Sequence, residues 1–266
     1  MRMGRYLASS SAVLVTLSVS CAYAPPTQVP MTTWLYAKPG GNGKHLIVLL
    51  PGINEQPTKY ARRGFIDDLR SRELDVDVIA VDAHFGYYKE RNVVNRLKID
   101  VVEPARAKGY SKIWLVGFSV GGLGSLLYAM RYPDDVEGIL IFAPYLGEPA
   151  FIREIKDAGG PLHWRDTSSE DDGIRRLWVW LKNYATDSEN LPALYVGYGQ
   201  QDKFAVADAL LASLLPPDRV YAITGGHNWK TWKKLWGQML DSGLLLPMRQ
   251  TMSNRHNSST PRVAPR

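Results

Sequence analysis

Short apolar runs recur along the chain, each closed by turn residues and followed by an amphipathic stretch. His45-Leu46-Ile47-Val48-Leu49-Leu50 stops at Pro51-Gly52, residues 77–81 stop near Asp82, and residues 112–116 stop at Gly117. Residues 138–142, 193–196 and 220–223 repeat the pattern, the last ending at Gly225-Gly226. Runs that are apolar along their whole length bury side chains on both faces, as strands of a parallel sheet covered by helices do. Between them lie segments with apolar residues at helical spacing. Residues 58–72 carry Tyr60, Phe65 and Leu69, and residues 91–108 carry Val94, Leu97, Val101 and Ala105. Residues 120–131, 204–215 and 229–240 complete the set.

This alternation predicts an α/β fold over residues 45–245, a mostly parallel sheet with helices on both faces. Residues 32–37 add a candidate early strand. From 146 to 190 the alternation lapses into Gly159-Gly160-Pro161, the acidic Glu170-Asp171-Asp172 and the aromatics Trp178, Trp180 and Tyr184. That stretch predicts a short helical cap, inserted at strand C-terminal ends where ligands bind.

The ends read differently. Residues 1–24 have a positive start at Arg2 and Arg5, then a moderately apolar stretch, then small residues, the layout of an export signal. Ala22-Tyr23-Ala24 fits cleavage by a signal peptidase. Ser18-Val19-Ser20-Cys21 instead resembles a bacterial lipoprotein box, in which Cys21 is lipidated and attaches the protein to a membrane. The expectation is an exported bacterial protein, periplasmic or held at a membrane as a lipoprotein, with secretion as the alternative. Residues 25–44 read as a Pro-rich tether with the candidate first strand, and residues 246–266 as a disordered basic tail.

Composition narrows the function. The chain has 266 residues, 45% of them hydrophobic and 22% charged, enough for one substantial core. One cysteine excludes an internal disulfide framework. The net charge of +6 is carried by Arg2 and Arg5 at one end and Arg249, Arg255, Arg262 and Arg266 at the other. The body between is neutral, so no nucleic-acid partner is expected.

Candidate chemistry sits at three strand ends. Gly117-Phe118-Ser119-Val120-Gly121 is a G-x-S-x-G motif directly after one apolar run and directly before a helix, the setting of a nucleophile elbow. A serine hydroxyl needs a base. Of the five histidines, His227 in Gly225-Gly226-His227-Asn228-Trp229 follows the last strand and precedes the last helix. His84 is the main competitor, on an earlier strand end. Asp202 follows the fifth run and completes a Ser119, Asp202, His227 order; a helix N-cap is its plainer reading. The N–H groups of Val120 and Ile53 are the candidate oxyanion donors, Ile53 lying in the turn Leu50-Pro51-Gly52-Ile53-Asn54. The histidines show no metal-ligand pairing and the glycines near Ser119 do not read G-x-G-x-x-G, so neither metal nor organic cofactor is expected.

These residues resemble the α/β-hydrolase superfamily over residues 45–241, through Gly117-Phe118-Ser119-Val120-Gly121-Gly122, Asp202 and Gly226-His227-Asn228-Trp229. Residues 225–232 are similar to the histidine loop of esterase-D and feruloyl-esterase-like members. Pro51 stands where many members carry a histidine, and a His-Gly-Gly-Gly run is lacking. The resemblance implies a serine esterase acting on a small-molecule ester or acyl substrate. An acyltransferase or thioesterase with the same triad, and a non-catalytic binding protein on the same fold, are the alternatives.

Overall fold

A computed structural model describes residues 24–41, 43–168 and 172–245. The expected export signal, Cys21 and the basic tail lie outside the described residues. Within them the strands are β1 (Thr33–Tyr36), β2 (His45–Leu50), β3 (Val76–Val81), β4 (Lys112–Phe118), β5 (Gly138–Phe142), β6 (Ala193–Gly199) and β7 (Val220–Ile223). They form one sheet in the order β1-β3-β2-β4-β5-β6-β7. β1 runs antiparallel to β3 and every other pair is parallel.

The helices are α1 (Lys59–Arg62), α2 (Phe65–Arg70), α3 (Phe85–Lys89), α4 (Val93–Leu97), α5 (Glu103–Ala107), α6 (Val120–Arg131), α7 (Pro149–Asp157), α8 (Gly173–Leu181), α9 (Ala205–Ala212) and α10 (Trp229–Asp241). They cover both faces of the sheet. Alternate strand residues feed two separate cores, as the period of two requires. Leu46, Val48, Ile113, Leu115, Ile139 and Ile141 pack with α4, α5, α6, α8 and α9. Ile47, Leu49, Trp114, Val116, Leu140 and Phe142 pack with α1, α2 and α10. All of these strand side chains are buried.

Two helical expectations are modified. The helix expected over 58–72 is two short ones, because Gly64 between them has φ 73°, a left-handed turn that ends an α-helix. The helix expected over 91–108 is α4 and α5 joined by a π-helical turn, Lys98–Val102. Pro104 follows that turn; its ring would collide with the carbonyl four residues back in regular α-helix, and the wider turn makes room. Between β5 and β6 the described residues hold α7, α8 and two short 3-10 turns but no strand.

The segment expected as a tether is docked. Residues 24–30 have no regular secondary structure, yet they lie along α3. The Tyr87 hydroxyl donates to the Gln28 carbonyl at 3.0 Å and accepts the Gln28 N–H at 3.1 Å. Thr27 Oγ1 donates to Glu90 at 2.6 Å, and a side chain on Gly86 would meet the Pro25 carbonyl oxygen at 2.0 Å. Proline-rich sequence predicts an extended backbone, and here that extended backbone finds partners. Removing the Tyr87 hydroxyl breaks two hydrogen bonds of a part-buried strap, at a cost of about 1–3 kcal/mol. Tyr87→Phe should therefore raise amide exchange over residues 24–31 while leaving α6 and β4 protected, as read by hydrogen–deuterium exchange. Unchanged exchange there would mean that other contacts hold the strap.

Candidate active site

β4 ends at Phe118 and α6 starts at Val120, so Ser119 alone makes the turn. It does so at φ 53°, ψ −116°, a conformation that L-residues seldom adopt. The turn fits only because its neighbours lack side chains. A Cβ on Gly117 would lie 2.3 Å from the Gly121 carbonyl oxygen, and one on Gly121 would lie 2.2 Å from that of Leu50. Backbone bonds then hold the strained residue: Ser119 N–H donates to the Phe142 carbonyl at 2.9 Å, and Tyr145 N–H donates to the Ser119 carbonyl at 3.0 Å.

Asp202 follows β6 and His227 follows β7, both at the sheet edge where Ser119 stands. Their loops are joined through backbone. Gln200 N–H donates to the Ile223 carbonyl at 2.8 Å and Gln201 N–H to that of Gly225 at 2.9 Å. Asn228 begins α10 by accepting the Thr231 N–H at 3.1 Å, which fixes the residue after His227.

The structure brings the three predicted side chains together. His227 Nε2 is 3.0 Å from Ser119 Oγ, and His227 Nδ1 is 3.0 and 2.9 Å from the two Asp202 oxygens. Asp202 Oδ1 also accepts the Phe204 N–H at 2.9 Å. An acceptor-only carboxylate places the imidazole proton on Nδ1 and leaves the Nε2 lone pair facing the serine. The ring is fixed from both sides, edge-on to Phe204 at 5.1 Å and to Trp232 at 5.0 Å. Ser119 is 5% exposed and the Asp202 side chain is closed to solvent. The competing His84 instead caps α3, its Nδ1 accepting the Gly86 N–H, and stacks beside Tyr87.

Ile53 lies beside the same space, and Val120 follows Ser119 at the start of α6. A cavity of about 220 Å³ is lined by Gly52, Ile53, Ser119, His227 and Trp229, with Glu55 and Lys203 at its wall. Among the described residues neither the Ile53 nor the Val120 N–H donates a hydrogen bond within the protein. Sequence reasoning missed what supports that loop. The buried Tyr60 hydroxyl donates to the Leu50 carbonyl at 3.0 Å, and Glu55 accepts from Trp229 Nε1 at 3.1 Å while pairing with Lys59. Glu55 and Lys59 are four apart, a helix-surface spacing, but nothing local marks Trp229 as their partner. Among the described residues no group of histidine, cysteine or acidic side chains is arranged to hold a metal.

One further acid sits beneath Asp202. Asp208 is fully buried on α9, and among the described residues neither of its oxygens has a partner. Burial, and then the neighbouring Asp202 charge, push its carboxyl well above the usual carboxylate range. The folded protein therefore holds it neutral while the unfolded chain ionises it. Its favourable effect is complete below the ordinary carboxylate pKa and is lost as pH rises toward the raised value. Asparagine mimics the neutral acid and does not titrate. Asp208→Asn should gain stability over the parent between pH 5 and pH 8, by at most about 1.4 kcal/mol per pH unit, in urea unfolding at both pH values. A difference that stays flat would mean that Asp208 is ionised in the folded state.

Comparison with known proteins agrees with this architecture. The esterase family model ("Putative esterase") matches residues 88–242, more than half of the chain. The mouse (Mus musculus) protein named Serine hydrolase BPHL is 26% identical over 152 residues, covering 54% of this chain and 49% of that protein. The chain thus spans about half the length of that curated relative. Among solved structures, a ferulic acid esterase superposes with TM-score 0.54 at 16% identity over 78% of this chain and 89% of its own. The S-formylglutathione hydrolase FrmB of Staphylococcus aureus gives TM-score 0.56 at 15% identity, over 79% and 94%. Est1E of Butyrivibrio proteoclasticus, in a structure with ferulic acid bound, gives 0.55 at 15%, over 82% and 95%. The match of the esterase model to more than half of the chain, on a seven-stranded mixed sheet with Ser119 at its elbow, places this chain in that esterase family, with the α/β-hydrolase fold.

Proposed function

We propose that the protein hydrolyses a carboxylic ester through an acyl-enzyme on Ser119. The observation that carries the reading is the unbroken hydrogen-bond chain from Ser119 Oγ through His227 to Asp202. His227 Nε2 accepts the hydroxyl proton as Ser119 Oγ attacks the carbonyl carbon, and Asp202 stabilises the imidazolium that results. The N–H groups of Ile53 and Val120 hold the developing oxyanion. His227 then returns the proton to the leaving alcohol. Water, deprotonated by the same histidine, attacks the acyl-enzyme and frees the acid and Ser119. Esterase-family membership supports the reaction class, and the small cavity beside Ser119 supports a small-molecule ester.

Ser119→Ala should abolish covalent labelling by a fluorophosphonate and lower kcat on an aryl ester by about 10³-fold or more. His227→Ala should be equally damaging, because the two residues act as a unit. Asp202→Asn should be severe but milder, since the ring keeps its two aromatic neighbours while losing the charge that fixes its tautomer. Activity retained by Ser119→Ala would sink the mechanism. Product analysis with and without an added alcohol separates hydrolysis from acyl transfer.

We also propose export, with attachment to a membrane through a lipid on Cys21. The charge and apolar pattern of residues 1–24 supports it. Mass spectrometry of the mature protein should find a lipidated Cys21 first. An unmodified start at Pro25 would remove the anchor but keep export, and an intact Met1 chain in the cytosol would remove both.

A further inference from the structure

A second, larger cavity adjoins the one at Ser119. It holds about 470 Å³, and its apolar walls come from Tyr145, Pro149, Ile152, Phe204, Val206 and Ala207. Lys203 lines both cavities. The Phe204 ring stands edge-on to His227 at 5.1 Å on one side and to Tyr145 at 5.7 Å on the other. Tyr145 is also bonded through its N–H to the Ser119 carbonyl. The larger cavity therefore starts one side chain from the reacting atoms.

Its charge is one-sided. Arg153, Lys156 and Lys203 line it, and among the described residues none of the three pairs with a carboxylate. Among the described residues one acid lies in the lining, Glu148, which accepts a hydrogen bond from the Tyr145 hydroxyl at 2.6 Å. Two helices begin at the cavity: Pro149 is the first residue of α7, and Val206 and Ala207 lie in the first turn of α9. Each helix start already has a carboxylate beside it, Glu148 as the N-cap of α7 and Asp202 accepting the Phe204 N–H before α9, so the side-chain cations carry the positive charge of the lining. Three cations without a carboxylate partner among the described residues, Lys203 lying over the Phe204 ring at 4.8 Å, surround an apolar hollow and suit a ligand that is apolar along its body and anionic at its end.

We propose that this cavity is a subsite for a carboxylate, so that the ester turned over carries an anionic end on an otherwise apolar acyl or alcohol half. The proposal rests on the esterase reading of Ser119. Arg153 and Lys156 on α7 bind the carboxylate, Lys203 screens it from the reacting centre, and the apolar walls hold the intervening carbons.

Matched substrates test it. For the acyl half, 4-nitrophenyl hexanoate is compared with mono-4-nitrophenyl adipate. For the alcohol half, methyl 4-(acetoxymethyl)benzoate is compared with 4-(acetoxymethyl)benzoate. In at least one pair the anionic member should have the higher kcat/KM at low salt, by about tenfold, and added salt should erode the advantage. The double variant Arg153→Gln/Lys156→Gln should lose the advantage through KM, while Arg153→Lys/Lys156→Arg should keep it. Equal or poorer turnover of the anionic member in both pairs overturns the subsite and leaves the esterase reading standing. Calorimetry on Ser119→Ala with monomethyl adipate and dimethyl adipate separates the two ideas. Selective binding of the monoanion, lost in the Gln/Gln background, supports the subsite even if no ester is cleaved. No selectivity there overturns it.

Discussion

The turn at Ser119 is the constraint on which the rest of the site depends. A strand must become a helix across one residue, and the only backbone solution leaves that residue at positive φ. Such a conformation costs on the order of 1–3 kcal/mol and persists only where the surroundings over-determine it. Here the contacts come from three directions. The Leu50 carbonyl closes on Gly121 from β2, the Phe142 carbonyl accepts the Ser119 N–H from β5, and the Tyr145 N–H reaches the Ser119 carbonyl from the loop beyond. The strained serine therefore also fixes how β2, β4 and β5 end. Those endings set where the Ile53 turn and the 146–190 stretch can begin.

His227 is positioned by a different device. His227 lies on a loop, and loops move unless something stops them. Two backbone bonds from residues 200 and 201 tie the β7 loop to the β6 loop, and a Cβ on Gly199 would meet the Gly225 carbonyl oxygen at 2.2 Å. Beneath them Phe65, Phe118, Trp229, Trp232 and Trp236 form a run of edge-on and tilted rings. Each such pair contributes about 0.5–1.5 kcal/mol beyond burial. Trp229 and Trp232 belong to α10, the helix that His227 introduces, so the core that anchors the helix also aims the imidazole. Trp229 further reaches Glu55 beside the Ile53 turn, which links the His227 loop to that turn through one indole.

Much of this was legible in the sequence because it depends on short-range pattern. The strands over 45–50 and 138–142 are continuous apolar runs between turn residues, and burial on both faces leaves such runs few other options; the run over 220–223 also forms a strand, but at the sheet edge and only half-buried. α6 begins at the residue after Ser119, as the motif requires. What could not be read is what depends on partners far along the chain. Gly64 splits one helix because its backbone adopts a left-handed conformation that the sequence pattern around it does not announce. The strap over 24–30 docks because the Tyr87 hydroxyl meets the Gln28 backbone 59 residues away, and proline content alone gives only its extended form. Glu55, Tyr60 and Lys203 act at the site through contacts with Trp229, Leu50 and two cavities at once. None of these pairings leaves a periodic signal.

The two carboxyl groups near His227 illustrate how environment, not identity, assigns a role. Asp202 and Asp208 are both buried and lie close enough for the charge on one to act on the other. Both cannot be ionised cheaply in a low-dielectric interior. Asp202 accepts bonds from His227 Nδ1 and the Phe204 N–H. Among the described residues Asp208 has no donor at either oxygen, so nothing offsets the loss of water and its carboxyl is pushed well above the usual carboxylate range. Local charge at this edge of the sheet is thus set by hydrogen-bond donors, even though the body of the chain is neutral by composition.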